Sequence, residues 1–150
     1  MQIGNVTIDP SAPAFVVAEI GLNHNGSLDL AMESVEPAAA AGANCAKFQM
    51  RNVPAQYVLD ILSRCQLSTQ DMFSAFDNCK KNGIMPLCTP WDLASITALE
   101  EYGMEVYKTS SADLTNHDLI SAVAQTGKPM FVSTGMSTEK EIKETVAILE

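Results

Sequence analysis

Five short runs of mainly apolar residues, at 15–18, 43–46, 84–88, 104–107 and 128–132, each give way to a polar residue: Glu19, Lys47, Thr89, Lys108 and Ser133. Runs of this length without polar alternation predict strands buried on both faces. Four of them follow a glycine (Gly42, Gly83, Gly103, Gly127), and the polar residue stands five or six positions later. A glycine just past a helical stretch predicts a left-handed C′ residue. Helices are predicted over 28–41, 69–81, 93–102, 117–125 and 138–149, with Ser27, Ser68, Asp92, Asn116 and Ser137 as caps. Glu139 and Lys143 add an i, i+4 pair to the last one. Pro37, inside the first helix, predicts a kink or early break. Pro86 and Pro129 are expected near a strand start or bulge. The repeat is βα, five times, with parallel strands.

Composition narrows the partners. The 150 residues are 47% hydrophobic, enough for one core, and carry a net charge of −9. An acidic chain is a poor ligand for nucleic acid or an anionic bilayer. No apolar run reaches the length of a membrane span and the first ten residues do not read as a secretory leader. The four cysteines form no C-x-x-C pair and no zinc pattern with the histidines. They are expected reduced, in a cytoplasmic protein.

Parallel βα units build either a doubly wound sheet or a (β/α)8 TIM barrel of about 250 residues. No G-x-G-x-x-G follows the first strand; Gly21-Leu22-Asn23-His24-Asn25-Gly26 stands there. Polar groups recur instead at every strand end, the habit of a barrel. The last predicted helix reaches Glu150 with no glycine cap and no following strand. The expectation is therefore residues 1–150 as the N-terminal portion of a barrel, about the first five βα units, truncated in the fifth helix.

Six motifs in order then carry a resemblance: Ala18-Glu19-Ile20-Gly21 with Asn23-His24-Asn25-Gly26; Ala46-Lys47-Phe48-Gln49; Cys88-Thr89-Pro90-Trp91-Asp92; Lys108 with Ser111 and Asp113-Leu114-Thr115-Asn116; Thr126-Gly127-Lys128-Pro129; and Ser133-Thr134-Gly135-Met136. Together they resemble the N-acetylneuraminate (sialic acid) synthase family. The resemblance implies a barrel that condenses phosphoenolpyruvate with an N-acetylated, N-acetylmannosamine-like amino sugar. The products would be a sialic-type nine-carbon acid and phosphate. It also implies a divalent metal (Mn2+ or Mg2+) in the full-length parent, bound by histidines on later strands that this chain lacks, and a domain-swapped homodimer with a small antifreeze-like domain.

By the same resemblance, Lys47, Thr89, Lys108, Ser111 and Ser133 line the phosphoenolpyruvate site, Gln49 and Asp113 stand near the sugar, and Glu19 lies near the reacting carbons. The residue chemistry agrees. An anionic donor in an acidic protein needs focused cations, and hydroxyls donate to phosphate oxygens. Carboxylates such as Glu19 and Asp113 accept from sugar hydroxyls or move a proton. Arg51, four residues past Lys47, offers further help from its loop. Blander readings stand beside these. Strand-end lysines also snorkel into water. Glu19 can pair with Lys47 structurally, Asp113 with Asn116 can form a capping turn, and His24 can be a loop former.

Departures from the family bear on the acceptor. Ala112 stands where glycine is usual, at a cost on the order of 1 kcal/mol if that position needs positive φ. Trp91 stands where Phe is commoner. The segment between Gln49 and Ser68 is short, and is expected over the barrel mouth, where legionaminic- and pseudaminic-type synthases would differ. A non-catalytic half-barrel, or a small doubly wound domain holding a phosphorylated ligand, are the alternatives.

Overall fold

The computed structural model describes residues 1–51 and 59–150. A two-stranded antiparallel hairpin, β1 (Gln2–Ile3) and β2 (Val6–Thr7), precedes the repeating part. Then follow β3 (Val17–Gly21), α1 (Leu28–Ala40), β4 (Cys45–Met50), α2 (Leu59–Arg64), α3 (Thr69–Lys81), β5 (Met85–Pro90), α4 (Leu93–Tyr102), β6 (Tyr107–Thr109), a 3-10 turn (Ser111–Asp113), α5 (His117–Ala124), β7 (Met130–Val132) and α6 (Glu139–Leu149).

The five strands β3 to β7 form one parallel sheet in chain order. A doubly wound sheet reverses its order at a switch point. No reversal occurs among the described residues, so that alternative is set aside. The winding is that of a (β/α)8 barrel wall, and the chain supplies five units of it.

Register assigns the two faces. Glu19 pairs Lys47, Lys47 pairs Leu87, Gln49 pairs Thr89, and Lys108 pairs Phe131, so these point to the concave side. Ala46, Phe48, Met50, Cys88 and Tyr107 point outward into a core closed by Val35, Met72, Phe76, Cys79, Leu99 and Val123 from the helices. Phe76 meets Phe48 edge-on at 5.7 Å and Tyr102 at 5.2 Å. Truncating such a buried ring costs about 3–5 kcal/mol. A second cluster of Ile3, Cys45, Leu87 and Val106 fills the concave side at the strands' N-terminal end. The hairpin thus drives Ile3, fully buried, into the barrel floor.

The predicted punctuation is largely observed. Gly42, Gly83, Gly103 and Gly127 all have positive φ, between 67° and 82°. Ser27, Ser68, Asp92 and Asn116 each cap their helix with a side-chain oxygen. Pro86 is the second residue of β5 and Pro129 immediately precedes β7.

Several expectations need correction. The last helix is capped by Thr138, not Ser137, because only Thr138 has a Glu three residues on to close a capping box with Glu141. Pro37 does not break α1, which continues to Ala40. The proline stands in the last turn, and its own carbonyl accepts from Ala41. The first strand begins at Val17, two residues later than its apolar run. It is not buried on both faces: Val16 and Val17 are 50% and 38% exposed on an edge strand beside an open cavity. Ala112 carries no positive φ; it lies in a 3-10 turn capped by Ser110, so the expected strain is absent. The hairpin and α2 were not anticipated.

Candidate functional site

The strand ends converge on two adjoining cavities. One, of about 430 Å³, is lined by Val17, Glu19, Lys47, Leu87, Lys108, Phe131 and Ser133. The other, of about 180 Å³, is lined by Lys47, Gln49, Thr89, Trp91, Lys108, Ser110, Ser111 and Ser133. Lys47, Lys108 and Ser133 belong to both, so the two ammonium groups stand between them. Seven of the eight residues read from the sequence as site residues line these cavities. The eighth, Asp113, lies on the 3-10 turn after β6, two residues past Ser111.

Lys47 forms a salt bridge with Glu19, its partner in the strand register. The lysine side chain is 12% exposed and the glutamate 54%. A Cβ built on Gly21 would lie 3.0 Å from Glu19 Oε1 and 3.6 Å from Gln49 Nε2. Both polar ends therefore lie over a residue without a side chain, at φ +55°.

Among the described residues Lys108 has no carboxylate partner in its hydrogen bonds. Its Nζ donates to Ser133 Oγ at 2.5 Å and to the Thr109 carbonyl. Burial, reinforced by repulsion from Lys47 and partly opposed by Glu19, lowers its pKa below the ordinary lysine value. Two cations and one carboxylate leave this spot locally positive in an acidic chain. The hydroxyl of Thr89, 2% exposed, has no hydrogen-bond partner among the described residues. Such an orphaned donor is uncommon in a folded interior.

Arg51 does not point to the lysines. Its guanidinium lies 4.2 Å from the ring centroid of Trp91, and Nη2 donates to Gln49 Oε1 at 2.9 Å. Burial lowers its pKa and the charge of Asp113 opposes the shift. Both Arg51 and Trp91 lie two residues beyond the register pair Gln49 and Thr89, a juxtaposition that the strand offsets contained.

His24 is the loop former rather than a site residue. It is fully buried, its Nδ1 accepts from Gly26 N at 3.1 Å, and its ring packs 6.4 Å from Phe48. Desolvation lowers its pKa, with the Gly21 backbone working in the opposite direction. Gly26 is required beside it: a Cβ there would lie 2.2 Å from the Arg64 carbonyl oxygen.

All four cysteines are free. Burial pushes the thiols of Cys45 and Cys79 up to about 12, and that of Cys88 higher, which leaves no nucleophile among these three. Among the described residues no three His, Cys, Asp or Glu side chains gather closely enough to hold a metal ion. No described helix is long and apolar enough to cross a membrane. The expected loop over the mouth falls partly on residues 52–58, outside the described residues. Beyond them, Gln66 Nε2 donates to the Arg51 carbonyl.

Comparison with known proteins bears on the family and the fold. The model of the NeuB family matches residues 51–150. An uncharacterized protein of Methanocaldococcus jannaschii is 36% identical over all of this chain and 46% of its own length. The N,N'-diacetyllegionaminic acid synthase of Campylobacter jejuni is 31% identical over 89% of this chain and 46% of its own. The crystal structure of N-acetylneuraminic acid (sialic acid) synthetase from Leptospira borgpetersenii, in complex with citrate, superposes with a TM-score of 0.93 at 30% identity. It covers 99% of this chain and 54% of that one. The chain spans about half the length of the curated relatives it matches.

Proposed function

Because the chain belongs to the NeuB family, whose named relatives are synthases of sialic-type acids, we propose that the complete protein condenses phosphoenolpyruvate with an N-acetylated amino sugar, giving a nine-carbon sialic-type acid and phosphate. The observation that carries this reading is Lys108. It is a partly buried ammonium with no carboxylate among its hydrogen bonds, facing Lys47 across a cavity rimmed by Ser133, Ser111 and the orphaned Thr89 hydroxyl. Two repelling cations and spare hydroxyls suit a ligand with several negative charges close together, as a phosphate beside a carboxylate provides.

In this reading Lys47 and Lys108 bind the donor's anionic groups, and Thr89, Ser111 and Ser133 donate to its oxygens. Glu19, with Oε2 on Lys47 and Oε1 over Gly21, is placed to accept from a sugar hydroxyl or to move a proton as the new bond forms. Gln49 orients the acceptor through its amide and Asp113 through its carboxylate. The divalent metal belongs to the proposal for the complete protein, with ligands in the length of the relatives that this chain does not span. The described residues offer no ligand set, so no step is drawn through it. A cytoplasmic homodimer completes the proposal.

The test is phosphate release by the full-length protein with Mn2+. It should require both phosphoenolpyruvate and N-acetylmannosamine or a diacetamido analogue. Saturable binding of phosphoenolpyruvate without release in the presence of any such sugar would favour a non-catalytic anion-binding barrel instead.

A further inference from the structure

The motif Thr126-Gly127-Lys128-Pro129 has no part in the donor site, for Lys128 lines neither strand-end cavity. Its ammonium lies on the helical side of the sheet, 2.6 Å from Glu100 Oε1 of α4. Tyr107, fully buried on the outward face of β6, donates its hydroxyl to the same oxygen. One carboxylate oxygen thus gathers a donor from β6 and a donor from the residues that lead into β7. Burial works against the charged form of Glu100, but the hydrogen bonds from Lys128 and Tyr107 prevail and lower its pKa. The carboxylate accepts both donors at once.

The strands joined in this way have little else to fix their register. Among the described residues six pairs join β4 to β5, but only Cys88 and Tyr107 join β5 to β6, and three pairs join β6 to β7. A slip of one residue turns every side chain to the other face, and would carry Lys108 from the cavity into the helical layer. Tyr107 precedes Lys108 and points the opposite way, so a fixed phenol fixes the side on which the ammonium stands. The Pro129 carbonyl also accepts from Tyr107 N at 3.0 Å. Lys128 and Pro129 therefore hold Tyr107 by its backbone and, through Glu100, by its ring hydroxyl. In the same register Ser133 N donates to the Thr109 carbonyl at 3.4 Å, and Ser133 Oγ lies 2.5 Å from Lys108 Nζ. The Lys128 and Glu100 side chains are 27% and 36% exposed, so their ion pair adds little net stability. Its worth is in register, the best-attested use of such polar contacts.

We propose that Glu100 is a positioning residue of the donor site: through Tyr107 and Lys128 it holds β6 and β7 in the register that carries Lys108 to Ser133. This positioning goes beyond the synthase reading above and rests on it only for the role of Lys108.

The experiment measures phosphate release by the full-length protein at saturating acceptor sugar. Glu100→Gln keeps the shape of the side chain and removes its charge, and Tyr107→Phe removes only the hydroxyl. Each should lower kcat/KM for phosphoenolpyruvate about tenfold, the scale of a small displacement of a binding group. In a Lys108→Met background each should lower it less than about twofold, because nothing is left for the residue to position. No loss beside an intact Lys108, or equal losses in both backgrounds, would overturn the proposal. Should the wild type release no phosphate with N-acetylmannosamine or a diacetamido analogue, the synthase reading fails by itself, and the register is read directly. In full-length protein labelled with 15N-lysine, the Lys108 Nζ signal is the one missing from Lys108→Met. It should shift toward the signals of the exposed lysines in Glu100→Gln and in Tyr107→Phe; an unmoved signal sinks the positioning role.

Discussion

Glu19 and Lys47 occupy partnered positions on adjacent parallel strands and close a salt bridge in which the lysine is nearly buried and the carboxylate half exposed. The pair is asymmetric. Glu19 Oε2 holds the ammonium, while Oε1 lies over Gly21 on a side chain that is half exposed. Lys108 across the cavity has no such carboxylate bridged to it among the described residues. Ligand binding is therefore expected to depend on the two lysines for related but unequal reasons.

Lys108→Met and Lys47→Met should each lower kcat/KM for phosphoenolpyruvate in the full-length protein by at least about a hundredfold, near 2.7 kcal/mol. Lys80→Met and Lys81→Met should change it less than about twofold. Lys80 lies 4.2 Å from the Tyr102 ring centroid on the helical layer, far from the strand ends. Steady-state kinetics at fixed ionic strength decides the matter; four alike mutants would place the donor site elsewhere.

Thr89→Val should move stability and affinity in opposite directions. The buried hydroxyl has no partner to lose among the described residues, so an isosteric methyl removes a desolvation cost of about 1–3 kcal/mol and raises Tm. The same change deletes a donor from the cavity and should raise KM for phosphoenolpyruvate. A variant that is both less stable and fully active would refute the assignment.

The Lys108 shift gives a pH dependence of donor binding. Its pKa lies below 10.5 because burial and Lys47 disfavour the charged form. The protonated form binds the anion, so KM for phosphoenolpyruvate should climb as pH rises through that lowered value, before ordinary lysines titrate. In Lys108→Arg the guanidinium stays charged, and the alkaline rise should move to higher pH.

His24 makes the fold sensitive to acid. Its pKa is lowered by burial beneath the ordinary 6.5. The unfolded chain then binds more protons than the folded one over the interval between the two values. Stability should be full above about pH 6.5 and decline as pH falls through that interval toward the folded value. His24→Asn keeps an acceptor for Gly26 N and should flatten this slope in denaturant titrations; an unchanged slope would exclude His24 as its source. The other histidine, His117, is exposed.

The strand-end rule was readable because a barrel wall repeats one unit, and each unit carries the same glycine-to-polar interval. The positions of Lys47, Thr89, Lys108 and Ser133 followed from that interval. What was hidden depended on neighbours distant in the chain. His24 packs against Phe48, and its neighbour Gly26 lies against the Arg64 carbonyl. The partner of Arg51 is decided by the offset between β4 and β5. The hairpin went unseen because two-residue strands leave no periodicity, and Ile3 is ordered by Cys45, Leu87 and Val106. The cap at Thr138 is legible as T-x-x-E, with Glu141 three residues on, where Ser137 has a lysine.

Because each strand joins the edge left by its predecessor, the sheet can grow in the direction of synthesis. The Glu19–Lys47 pair needs only β3 and β4, whereas Lys108 must wait for Ser133. Until then the most recent strand is a bare edge of unpaired amides and carbonyls. Short sequence separations favour fast closure of each successive unit. The Ile3 plug runs against this order, since its floor includes Leu87 and Val106. The hairpin that carries Ile3 thus finds its full seat only after β5 and the residue leading into β6 are in place, late in an otherwise stepwise assembly.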